Sequence, residues 1–158
     1  MTYLILKFTH VIGAIVILGT GTGIAFFMLM AHRSRNTQFI AQTASIVVLA
    51  DIIFTTTAVI AQPITGYLLM RETGVGWSEP WLLVSVGLYG VAGLFWLPVV
   101  WIQMRMRDLA SHAAAAGTAL PDQYHRLFRI WFAFGIPGFG AVTLIVWLMV
   151  AKPALGGP

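Results

Sequence analysis

Residues Asp51 to Gly66 read DIIFTTTAVIAQPITG. The stretch is apolar enough to lie in a bilayer, yet it carries a carboxylate and a line of further polar groups. At about 100° per residue, Asp51, Thr55, Ala58, Gln62 and Thr65 share one helical face, with Gly66 beside them. An ionised carboxylate near a bilayer centre costs on the order of several kcal/mol unless it is paired, hydrated or protonated. The stripe is therefore predicted to look at other helices, a cofactor or water, and not at lipid. A helix with one polar face and an otherwise apolar girth needs partner helices, which sets the fold class as all-α and membrane-embedded.

Composition agrees. The chain of 158 residues is 59% hydrophobic and 9% charged, with a mean hydropathy of +0.88, against roughly 25% charged residues in a soluble domain. Cysteine is absent, which excludes disulfides, thiolate metal sites, iron–sulfur clusters and covalent c-type haem. The net charge of +4 comes from arginines at the ends of apolar segments, the pattern of membrane orientation and not of a nucleic-acid surface. The opening segment has no basic leader and runs past the apolar length of a signal peptide, so it is expected to be a retained helix.

Four segments are long enough to span, at about 3–31, 39–70, 81–107 and 127–151, within a single transmembrane domain covering residues 1–158. The third is expected to continue to Ala116 and stop at Gly117, with a restart near Pro121 and Asp122. Asn36 or Thr37 can cap the second helix, and Ser78, Glu79 and Pro80 form an N-terminal signature for the third. Arg33, Arg35, Arg105, Arg107, Arg126 and Arg129 fall on one side, against Lys7, Arg71 and Lys152 on the other. The positive-inside tendency then places both termini on the extracytoplasmic side of an up-down four-helix bundle. Gly19, Gly21 and Gly23 form a small-residue packing surface, while Pro63, Pro98 and Pro137 each free a backbone carbonyl and can kink a helix.

His10 lies roughly 10 Å into the first helix, with Lys7 one turn nearer the outside. At similar depth stand Gln62 on the second helix and Tyr89 on the third, where Ser85, Tyr89, Ala92, Trp96 and Gln103 repeat the striped pattern. Two facing stripes make a buried network that binds something or conducts something. Asp51 reads as a proton relay, as a partner for an arginine reaching in from the cytoplasmic side, or as a structural carboxylate held by hydroxyls. Met28, Met30, Met104 and Met106, with His32 nearby, could pass Cu(I) or simply fill the core. His32 and His125 are expected at the interface, His112 in solvent, and Trp77, Trp81, Trp101 and Trp147 as interfacial anchors.

The stretches LKFTHVIGA, DIIFTTTAVIAQPITG, WLPVVWIQMRMRDLA and WLMVAKP resemble a bacterial integral-membrane family, domain of unknown function 2269, along essentially the whole chain. The opening KFTHVIGAIVILGTG is also similar, more distantly, to the first helix of the HemJ-type protoporphyrinogen oxidases and of CopD-type copper-resistance proteins. The HemJ likeness implies b-type haem on His10. In that family a Trp-Leu-x-x-Lys pattern opens the third helix with a functional lysine, whereas PWLLVSV puts Ser85 at that place.

These readings predict a haem b-binding membrane protein of redox type in a bacterial inner membrane. His10 would be the axial ligand, Lys7 would lie near the propionates, Gly21, Gln62, Ser85 and Tyr89 would line the pocket, and Asp51 would relay protons. A quinone or porphyrin-like molecule is the candidate small-molecule partner, with no nucleic acid, and a homo-oligomer is compatible. The alternatives are a small proton or copper-type cation permeation protein lined by the Asp51 stripe, and a non-catalytic subunit of a larger membrane assembly.

Overall fold

A computed structural model describes residues 1–153. Four helices are long and apolar enough to cross a membrane: α1 (Thr2–Ser34), α2 (Thr37–Thr73), α3 (Pro80–Ala115) and α4 (Asp122–Ala151). They alternate in direction, so the start of α1 and the end of α4 lie at one end of the bundle. The α1–α2 turn and the α3–α4 link, with their arginines, lie at the other.

Local chemistry sets the boundaries. Arg35 adopts a left-handed conformation that ends α1, and Asn36 Oδ1 then accepts the Phe39 backbone N–H at 3.0 Å, capping α2. Gly74 (φ 70°) and Gly117 (φ 63°) take the positive φ that stops α2 and releases the chain after α3. Pro80 occupies the first turn of α3, where its missing N–H costs nothing. The cap side chain expected from Ser78 or Glu79 is not used; Glu79 instead accepts the Trp81 indole N–H at 3.1 Å.

Near its middle α2 departs from α-helical geometry. Asp51–Thr55 form a single π-turn between α-helical stretches Thr37–Ala50 and Thr56–Thr73. The Asp51 carbonyl takes the backbone N–H of Thr56 and also its hydroxyl at 3.1 Å. Such widened turns are uncommon and concentrate at functional sites.

Packing is uneven along the bundle. Towards the arginine-rich end all four helices meet around an apolar cluster that includes Met28, Ile40, Ala44, Met106, Tyr124 and Phe128. Towards the terminal end α1 lies on the second half of α2, and α3 lies on α4. The backbones of these two pairs hardly approach one another there. A small outer cluster of Trp81, Leu82 and Leu148 closes that end, where the Lys152 ammonium sits 5.5 Å over the Trp81 ring. Between the two clusters the buried residues are small or polar: Asp51, Thr55, Ala58, Thr65, Ser85 and Ala92.

The glycines that allow close packing differ from those expected. Nothing lies within 4 Å of where a side chain would begin at Gly19 or Gly21, so neither brings a neighbouring backbone close. The close seam is between α1 and α2, at Gly13 and Gly66. A methyl at Gly13 would collide with Gln62 Nε2, and one at Gly66 would stand 3.3 Å from His10 Cε1.

Candidate functional site

The polar belt has three parts. In the first, the His10 ring crosses from α1 to α2 and its Nδ1 meets Thr65 Oγ1 at 2.8 Å. Thr65 donates its single hydroxyl hydrogen to the Ala61 carbonyl at 2.8 Å. Keeping both contacts requires His10 Nδ1 to carry the proton and Thr65 to accept it. With both contacts kept, the ring takes the tautomer whose Nε2 carries the lone pair, and the Gln62 backbone carbonyl also lies beside the ring. Gln62 supports the arrangement from the other direction, its Nε2 donating to the His10 carbonyl at 2.8 Å through the opening at Gly13. His10 is half-buried, and its space is provided by the missing side chain of Gly66.

In the second part, Pro63 has no N–H to offer the carbonyl four residues earlier, which is that of Val59. The Tyr89 hydroxyl of α3 donates to this carbonyl. The bond is a direct polar link between the two loosely packed helix pairs. Ser85, fully buried, turns its hydroxyl back to the Trp81 carbonyl at 2.7 Å, so it lines the belt without presenting a free group.

In the third part Asp51 is buried in the π-turn. The donors that face its carboxyl are the Thr55 hydroxyl and the Trp96 indole. Neither Thr55 Oγ1 nor Trp96 Nε1 meets the distance and angle of a hydrogen bond. No other charged side chain lies near this level: α1 has none between His10 and His32, α3 none between Glu79 and Arg105, and α4 none between Arg129 and Lys152.

The structure therefore brings together His10, Gln62 and Thr65, and links Tyr89 to α2 one turn deeper. The surroundings of three further expected residues are as follows. The Lys7 ammonium is exposed and lies 5.6 Å over the Tyr3 ring. Gly21 faces open space, and Ser85 is satisfied by its own helix. Sequence reasoning also underrated the arginine-rich end. The His32 ring is stacked on Phe128 at 3.7 Å, with Tyr124 and His125 alongside. One helical turn beyond Phe128, the Trp131 indole donates to Gln103 Oε1 at 3.0 Å inside the core. Gln103 on the α3 stripe was the available signal. Its α4 partner carried none, since Trp131 reads as an ordinary apolar residue. Met28 and Met106 are fully enclosed in the core, whereas Met30 and Met104 are only partly buried. Among the described residues no group of three or more His, Cys, Asp or Glu side chains could hold a metal ion.

Four spanning helices with an internal polar belt define a multi-pass integral membrane protein. The chain matches the family described as "Predicted integral membrane protein (DUF2269)" over residues 4–153, and it belongs to that family. No curated protein and no solved structure matches it.

Proposed function

We propose that this protein binds haem b and serves a redox or electron-transfer role in a bacterial plasma membrane, with its arginine-rich end in the cytoplasm. The observation that carries the reading is the His10 imidazole, held through Nδ1 by Thr65, an arrangement that assigns the lone pair to Nε2. A histidine that ligates iron needs this arrangement, since the hydrogen bond on one ring nitrogen orients the other. The likeness of KFTHVIGAIVILGTG to the HemJ-type first helix points to the same residue.

The donor set fits one protein ligand. The Tyr89 and Ser85 hydroxyls are both committed to backbone carbonyls, and the other three histidines lie at or beyond the arginine-rich end, so His10 is the one imidazole in the outer half. Haem, when bound, supplies one-electron chemistry at its iron. The chain's own residues do the rest: Thr65 orients the ligand, Gln62 and Gly13 fix the α1 backbone that bears it, and Asp51 holds a proton at mid-membrane. The loose apposition of the two helix pairs leaves that half of the bundle able to part around a flat guest.

The test is a visible spectrum of protein purified from haem-replete cells. A Soret band is expected, lost in His10→Ala and displaced in Thr65→Val, where the ring loses its orienting partner. A colourless wild-type protein that also takes up no added haem overturns the reading.

A second reading, a small proton or metal-cation permeation protein, is favoured by the inward polar stripe running from Asp51 to Thr65. Flux into liposomes that disappears in Asp51→Asn supports it, and flux indifferent to that substitution removes the carboxylate from the pathway.

A further inference from the structure

Among the described residues, five buried side-chain atoms have no hydrogen-bond partner: His32 Nδ1, Tyr124 Oη, Gln103 Nε2, Trp96 Nε1 and Thr55 Oγ1. Native interiors rarely leave such atoms unpaired, and each one asks for an explanation. Their distribution supplies one. All five lie between the arginine-rich end and the middle of the bundle. In the outer half, by contrast, the Tyr89, Ser85 and Thr65 hydroxyls and the Gln62 Nε2 are bonded to protein. Imperfect packing alone would not sort them by depth.

The five atoms also follow one another along the bundle. His32, half-buried at the arginine-rich surface, has its ring 5.8 Å from that of Tyr124. Tyr124 is fully buried and lies two turns along α4 from Trp131, whose indole holds Gln103 Oε1 and leaves the Gln103 amide free. Gln103 is two turns along α3 from Trp96, on the same face, about 10 Å away. Trp96 and Thr55 then flank the Asp51 carboxyl.

We infer that this file is a water-bridged proton route from the arginine-rich face of the bundle to Asp51. The chemistry of its members suits the task. The imidazole and the two hydroxyls can each accept and donate a proton, so they can be steps of a relay. The Gln103 amide can only donate, so it holds a water oxygen in place without capturing the proton, and the Trp96 indole faces the Asp51 carboxyl at the end of the file. The fully enclosed Met28 and Met106 belong to the same core, so water enters when these flexible side chains yield, and the route does not leak continuously. Proton passage ends at the π-turn, because the hydroxyls beyond it, those of Thr65, Ser85 and Tyr89, are bonded to backbone carbonyls. The inference rests on the unpaired atoms and does not require haem.

The experiment uses the full chain, uniformly oriented in liposomes and treated with an apolar carbodiimide, which adds to a carboxyl only in its protonated form. Labelling at Asp51 is read by mass spectrometry, with surface-exposed Glu72 as the internal control. Acidifying the arginine-rich side should raise Asp51 labelling several-fold, while acidifying the opposite side should leave it unchanged. Gln103→Leu and Tyr124→Phe should each slow the response, and the second variant loses only a hydroxyl, which keeps the test usable if the first fails to fold. Labelling that follows the opposite side, responds equally to both sides, is absent, or is untouched by both variants overturns the inference. A colourless protein with sided labelling would sink the haem proposal alone, and a haem-bearing protein without it would sink this one alone.

Discussion

The bond from Tyr89 to the Val59 carbonyl exists because Pro63 removed the donor that would normally occupy that carbonyl, and this dependence can be measured. Tyr89→Phe deletes the hydroxyl and leaves a carbonyl unpaired inside the bilayer. A hydrogen bond contributes about 1 kcal/mol net, and abandoning a buried partner costs about 1–3 kcal/mol. Interhelical hydrogen bonds in membranes average nearer 0.6 kcal/mol, because the unfolded helices also find partners. The single substitution should therefore destabilise by about 1–2 kcal/mol. Pro63→Ala restores a backbone N–H four residues after Val59. In that background Tyr89→Phe should cost only a few tenths of a kcal/mol, giving a coupling of about 1 kcal/mol between two residues that do not touch. Reversible unfolding in mixed micelles, followed by tryptophan fluorescence, gives all four corners of the cycle. Equal costs of Tyr89→Phe in both backgrounds would refute the claim that the proline creates the acceptor.

Three further outcomes follow from the same packing. Gly13→Ala should destabilise by about 0.5–1.5 kcal/mol by displacing the end of Gln62 from the His10 carbonyl, whereas Gly19→Ala, facing open space, should be neutral or stabilising by about 0.5–1 kcal/mol; thermal denaturation in detergent compares the two, and the reverse order would show that the α1–α2 seam is misplaced. Trp131→Phe should cost about 1–3 kcal/mol by stranding Gln103 Oε1 in the core, and adding Gln103→Leu should recover part of that loss, as read by the same unfolding midpoint. Asn36→Ala should lower stability by about 1 kcal/mol through loss of the α2 cap, while Thr37→Ala should change little, a contrast that hydrogen exchange at the Phe39 amide can resolve.

How much of this was legible in the chain follows from the range of the forces involved. Hydropathy and turn chemistry are local, so the four spans, the stop at Gly117, the restart at Asp122 and the capping by Asn36 could be read directly. The inward stripe was legible because burying Asp51 and Thr55 away from lipid is worth several times the modest preferences that set helix rotation, on the order of kcal/mol against tenths. The pairing of His10 with Thr65 was half legible. Depth placed His10 opposite the Gln62 region, but the partner was decided by Gly66, whose missing side chain admits the ring. The π-turn left no local signature that distinguishes Ile-Ile-Phe-Thr-Thr from an ordinary apolar helix, since it depends on how the Asp51 carbonyl is shared by the Thr56 amide and hydroxyl.

The positions of Lys7 and Gly21 have one physical origin. Lys7 lies over the Tyr3 ring and Gly21 faces open space, because facing is a property of a helix and contact is a property of its neighbour. In the outer half α1 has a single close neighbour, the second half of α2. A residue on α1 thus meets another helix only where it points at that seam, as Gly13 and His10 do. The same one-sided packing ties the split outer half to the proposed cofactor. A bundle filled equally at all levels would hold His10 rigidly with no approach to Nε2. Here the apolar cluster towards the arginine-rich end carries the fold, and the outer helix pairs are linked through Tyr89 and the small Trp81 cluster, contacts that can separate without unfolding the core.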